Sequence, residues 1–164
     1  MMLAVPVIAI AGCDDRGSVG SSHARGSIGQ VGAVTVQNAY LVPTTQPGGC
    51  VIQVDAPAEL SFTVTNNARE PDRLIGIDGP PASSVELRAT PEELVIPAGG
   101  GLAAGQAIEE PARPGSEEPV TVRVSGLRDW VSPGRHVDMS FRFERAGALQ
   151  LAVPVDSCPT QQVR

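Results

Sequence analysis

Apolar and polar residues alternate along several stretches of the chain. Leu60, Phe62 and Val64 interleave with Ser61, Thr63 and Thr65, and this two-residue period is that of a half-buried strand with one apolar and one polar face. Val120, Val122 and Val124 alternate with Thr121, Arg123 and Ser125 in the same way. So do Val137, Met139, Phe141 and Phe143 with Asp138, Ser140, Arg142 and Glu144, and a last strand carries Leu149, Leu151, Val153 and Val155 on one face. Shorter runs at Val34 to Val42, Cys50 to Val54, Leu74 to Ile77, Val85 to Arg88 and Glu93 to Ile96 complete the set, punctuated by Pro, Gly or Asn. Asn66-Asn67 and Pro97-Ala98-Gly99-Gly100-Gly101 read as turns. About eight or nine strands with such punctuation predict an all-β antiparallel sandwich of the immunoglobulin-like kind. Residues 105–119, rich in Glu, Pro and Gly, predict a long exposed loop, and 157–164 a C-terminal tail.

Composition narrows the class. Of 164 residues, 18 are Gly and 15 Pro, and their cost inside a helix, about 1 and 3 kcal/mol respectively, excludes a helical bundle. Glycine shows no period of three, which removes collagen. The net charge is −6, and every one of the 12 basic residues is Arg, spread singly along the chain. Nucleic acid is therefore not an expected partner, because no basic stripe exists to release its counterions. Arg without Lys beside abundant Ala, Gly, Pro and Val reads as the codon bias of a GC-rich genome.

The N-terminus carries the most specific local signal. Met1 to Gly12 is an uninterrupted apolar run, the length of a signal-peptide core and too short to span a bilayer as a helix. It ends in Ile10-Ala11-Gly12-Cys13, the pattern of a bacterial lipobox, in which the Cys13 thiol receives diacylglycerol. Nothing basic precedes the run, and a start codon assigned too far downstream would account for that. The competing reading, an edge strand over residues 3–11, has to explain the Gly/Ser-rich segment that follows. The expected organisation is a signal peptide at 1–12, a flexible tether at 13–31 running from lipidated Cys13, and a sandwich at 32–156. The protein is then expected outside the cytoplasm, anchored to the outer face of the cell membrane.

With Cys13 lipidated, Cys50 and Cys158 remain as an even pair in an oxidising compartment. A bridge between them would close a loop of about 108 residues, worth about 4 to 5 kcal/mol in the chain-entropy treatment. Two free thiols are the alternative. No catalytic residue is proposed: His136 is the only histidine of the domain, no serine has a GxSxG context, and Glu109-Glu110 and Glu117-Glu118 lack ligand spacing. His136 and Met139 are the candidates for a metal, since thioether and imidazole suit Cu(I). Three residues apart on a strand they point to opposite faces, so Met139 is expected in the core and His136 in solvent. No metal or other cofactor is therefore expected from the residues themselves.

A set of segments resembles the periplasmic copper chaperone family, PCu(A)C. These are Asn66-Asn67-Ala68-Arg69-Glu70-Pro71-Asp72-Arg73-Leu74-Ile75-Gly76-Ile77, Ser84-Val85-Glu86-Leu87, Val95-Ile96-Pro97-Ala98-Gly99-Gly100, Ser125-Gly126-Leu127 and Phe141 to Gly147. The resemblance runs from Val34 to Val155 and implies a cupredoxin-like β-sandwich that binds Cu(I) through His and Met. It also implies where the ligands would stand: Arg88 occupies the place of the first His, and Thr121 and Arg123 occupy the closing HxM motif. No Met fills Ala89 to Val95, where the family has its next ligand. The pattern is closest to the divergent actinobacterial LpqE-type lipoproteins, which share the lipobox and a Pro/Gly-rich insertion like residues 105–119. The expectation is a non-enzymatic lipoprotein with a binding or envelope-interaction role. It would meet the membrane through its anchor and have an envelope protein as partner. Copper(I) handling with other or partner-supplied ligands is the alternative.

Overall fold

A computed structural model describes residues 26–45, 51–105 and 120–156. Its strands in chain order are β1 (Ser27–Val31), β2 (Val34–Val42), β3 (Ala58–Asn66), β4 (Asp72–Asp78) and β5 (Ser84–Arg88). They continue with β6 (Val95–Ile96), β7 (Gly101–Ala104), β8 (Thr121–Ser125), β9 (His136–Phe143) and β10 (Gly147–Pro154). One sheet has the order β1-β2-β3-β8-β5, with β7 also pairing β3; the other runs β10-β9-β4-β6. All of these strand pairings are antiparallel.

The alternation seen in the sequence builds the core between the sheets. Val34, Val36, Leu60, Phe62, Val64, Val122 and Val124 come from the first sheet, and Leu74, Val137, Met139, Phe141 and Val153 from the second, all buried. Phe62 and Phe141 meet across the gap edge-to-face, ring centroids 5.1 Å apart and planes at 80°. Each such side chain contributes about 1.5 to 3 kcal/mol by leaving water, and the aromatic geometry adds to that.

Two buried polar side chains pin one end of this core. Asn66, fully buried, donates from Nδ2 to the carbonyls of Glu70 and Ile96, at 2.9 and 3.3 Å, and accepts the Ala68 N–H at 2.9 Å. The Asp72 carboxylate accepts the backbone N–H groups of Arg73, Arg145 and Ala146 at 2.7 to 2.9 Å, tying β4 to the turn between β9 and β10. The segments around Asn66 to Asp72 and Phe141 to Gly147 are thus structural. Gly126 has φ of +64°, and a Cβ there would collide with the Ser83 side chain; glycine alone lets the chain leave β8 so close to residue 83.

Three expectations are corrected. Residues 27–31, read as the end of a flexible tether, form β1, because Gly29, Gln30 and Val31 pair with Val36, Thr35 and Val34 across the turn at Gly32. The described part of the Cys50 to Val54 run is no strand but a single bridge, Ile52 to Thr45, with Val51 and Val54 exposed. The strand expected at Glu93 to Ile96 contracts to Val95–Ile96, since Thr90 and Glu93 close a turn through reciprocal side-chain to backbone hydrogen bonds. A further strand, β7, went unpredicted. It lies beside Phe62 to Thr65 of β3, while β8 lies beside Ala58 and Glu59, so the two occupy one line along β3. The chain departs from and rejoins that line at Gly105 and Val120, whose N–H and C=O bond at 2.9 Å. Most of the 105–119 loop, Cys13, Cys50, Cys158 and the 157–164 tail lie outside the described residues.

Candidate functional site

β5 and β8 pair in the register Glu86↔Arg123, Leu87↔Val122 and Arg88↔Thr121. Val122 is buried, so the odd-numbered β8 residues and their partners face outward. Arg88, Thr121 and Arg123 therefore come together on one outer surface, with Arg88 and Thr121 in direct opposition. On its other side β8 pairs with β3, and Arg123 stands opposite Glu59. Arg123 is thus flanked by carboxylates from both neighbouring strands, while Arg88 is held by Glu86, Nη2 to Oε2 at 3.2 Å. Half-exposed as it is, that ion pair is worth no more than about 1 kcal/mol. Its meaning is chemical. The surface presents guanidinium and carboxylate groups, hydrogen-bonding partners rather than the thioether and imidazole donors that suit Cu(I).

Neither Glu59 nor Glu86 was singled out from the sequence. The register alone joins them to Arg88 and Arg123, and it is invisible until β3, β8 and β5 are known to be neighbours.

His136 and Met139 are kept apart as strand alternation requires. Met139 is fully buried in the core and packs so closely on Gly79 that a Cβ at residue 79 would strike its sulfur. His136 is exposed at the start of β9, opposite Pro154. Among the described residues no three His, Cys, Asp or Glu side chains cluster as a metal site would require.

Two concave surfaces among the described residues hold polar groups that are already paired. A cavity of about 300 Å³ is lined by Gly32, Ala33, Asn66, Glu70, Asp72 and Arg145, among others. Its buried polar groups, Asn66 and Asp72, are already engaged by backbone. A second, of about 330 Å³, lies between Asp78 and Asp138, where Asp78 is paired with Arg142, Nε to Oδ2 at 2.8 Å.

The paired sheets and their strand order define a PCuAC-like β-sandwich. A copper-bound PCuAC domain from PmoF2 superposes with a TM-score of 0.57 at 22% identity, covering 79% of this chain and 97% of that chain. An apo PCuAC domain from PmoF1 gives 0.59 at 17% identity, covering 79% and 98%. The family model of the LpqE-like lipoproteins matches residues 34–155, and the chain belongs to the LpqE-like family. No curated protein matches it.

Proposed function

We propose that this chain is a lipid-anchored extracytoplasmic protein that uses a PCuAC-like sandwich as a non-enzymatic interaction module. In this reading it lacks the His/Met copper site of the copper chaperones. The observation that carries the reading is the outer surface of β3, β8 and β5. The positions that the resemblance assigns to copper ligands, 88, 121 and 123, converge there and carry Arg, Thr and Arg, with Glu59 and Glu86 between them. Outward-facing arginines in such an arrangement suit a polar protein surface, since Arg is enriched at interfaces and forms bidentate contacts to carboxylates. The lipobox at Cys13 and the LpqE-like family description support the location at the membrane.

The test is photo-crosslinking of the full-length protein in its native membranes, with the probe placed at Thr121. A discrete crosslinked partner that is lost in the Arg88→Glu, Arg123→Glu double variant supports the reading. Crosslinking indifferent to both charges contradicts it.

A second reading, copper(I) handling with ligands supplied by a partner, draws on the copper-bound PCuAC domain among the structural neighbours. It requires the partner to bring the soft donors, because Met139 is enclosed in the core.

A further inference from the structure

The two ends of the sandwich differ in what they expose. β8 finishes beside the start of β3, with Val124 opposite Ala58, and Val155 bridges to Leu41 near the end of β2. Residues 43–45 and 51–57 and the connections 79–83 and 126–135 therefore share one end. Five large apolar side chains are exposed among the described residues: Ile28, Val51, Val54, Ile75 and Trp130. Three of these lie in the connections of that end, Val51 at 59%, Val54 at 41% and Trp130 at 48% exposure.

Backbone hydrogen bonds hold these side chains outward. Arg128 N–H donates to the Pro81 carbonyl at 2.8 Å and Val131 N–H to the Arg128 carbonyl at 2.9 Å, with Val131 buried beneath Trp130's turn. Gln53 N–H donates to the Thr44 carbonyl at 2.8 Å, and Thr44 Oγ1 to the Pro57 carbonyl at 2.9 Å, which fixes the turn between Val51 and Val54. Among the described residues of this end Asp55, Asp129 and Asp156 outnumber Arg128 and Arg135, so these residues supply no positive excess with which to attract an anionic surface. What it offers is an indole and two valines. Tryptophan favours the boundary between apolar and wet phases, where its ring is buried and its N–H remains hydrogen-bonded.

The chain itself indicates what lies against this end. β1 runs antiparallel to β2 and begins opposite Ala39, three residues before β2 ends at Val42, so the chain enters the domain towards the same end. Only residues 14–26 separate Cys13 from Ser27, a span of at most about 50 Å when fully extended. A lipid at Cys13 thus keeps the apolar end close to the bilayer, where tethering makes even a weak contact effective.

We propose that this end of the sandwich docks on the lipid surface that holds Cys13, with the Trp130 indole at headgroup depth beside Val51 and Val54. The proposal rests on the reading of Cys13 as lipidated. It gives the domain a fixed orientation, anchored end down.

Trp130 is the only tryptophan of the chain, so its fluorescence reports the contact directly. The full-length lipidated protein is reconstituted at low density into phosphatidylethanolamine/phosphatidylglycerol vesicles, with and without phospholipid brominated on its acyl chains. Docking predicts a blue-shifted emission, quenching by the brominated lipid, and little change in either with salt, as an apolar contact requires. The Val54→Asp variant is expected to lose the quenching while still floating with the vesicles. If the protein floats with the vesicles but Trp130 emits as in water and is not quenched, docking is overturned and the anchor stands. A blue shift that grows with protein density without bromine quenching overturns docking in favour of a second copy on the patch. If the protein does not float and mass spectrometry finds Cys13 unmodified, the anchor fails and the docking with it.

Discussion

Arg88 at the end of β5 stands directly opposite Thr121 at the start of β8, and Arg123 lies two residues further along the same outward face. The resemblance to copper chaperones places ligands at these three positions, and the fold brings the three together. Cross-strand neighbours on one face have Cβ atoms about 4.5 to 5.5 Å apart, with diagonal neighbours still within reach of long side chains. The backbone spacing therefore allows three side chains at these positions to reach a single ion. Grafting donors tests this: the Arg88→His, Thr121→His, Arg123→Met triple variant is expected to gain one-to-one Cu(I) binding, measured anaerobically against a competing chelator. No gain in a folded triple variant would show that the three positions do not form a common site.

The Asp72 carboxylate joins β4 to the β9–β10 turn by accepting the N–H groups of Arg145 and Ala146, and it also accepts the N–H of its neighbour Arg73. Asp72→Ala would leave these part-buried donors without their partner and is expected to cost about 1 to 3 kcal/mol, read as a lowered urea midpoint. Asp72→Asn keeps the acceptor oxygen and should cost less. Equal stabilities for wild type and Asp72→Ala would contradict the clasp.

Phe62 and Phe141 bridge the sheets. Phe62→Ala removes a large side chain from a site closed on both sides, and a loss of about 3 to 5 kcal/mol is expected. A double-mutant cycle with Phe141→Leu should show coupling between the two rings, since residues in direct contact do not act additively.

Much of the sandwich was legible from period-two alternation. The strongest cases were β9 and β10, which bury apolar residues on one face and expose most of the other, and β3, whose apolar face is buried while Thr63 and Thr65 stay half-buried. What escaped has physical reasons. β1, with the sequence SIGQV, continues a Gly/Ser-rich stretch, and β7, with GLAA, has no β-branched residue, so both short strands are recognisable only by the partners that hydrogen-bond to them. The Cys50 to Val54 run has the composition of a strand, yet Val51 and Val54 face outward because the chain turns there. The separation of His136 from Met139 followed from alternation alone. The charged surface around Arg123 did not, because Glu59 joins it from a strand more than sixty positions away in the sequence.

Cys50 and Cys158 lie outside the described residues, but the chain flanking them is placed. Gln53 N–H donates to the Thr44 carbonyl and Asp156 N–H to the Leu41 carbonyl, both at 2.8 Å. Both flanks are thus held by the same short segment of chain. A Cys50–Cys158 disulfide is the expected state of the protein purified from an oxidising compartment, seen as one linked peptide pair in a non-reducing digest. Reduction should lower stability by about 4 kcal/mol. Two alkylatable thiols in the untreated protein would contradict it.

Copper affinity bears most directly on the proposed function. The full-length protein is titrated anaerobically with Cu(I) against a competing chelator, beside the triple variant carrying the grafted His and Met donors. An interaction module without the chaperones' ligands predicts that the wild type leaves Cu(I) with the chelator. Tight one-to-one binding by the wild type, lost in His136→Ala or Met139→Ala, would contradict the account and place the protein among the copper carriers.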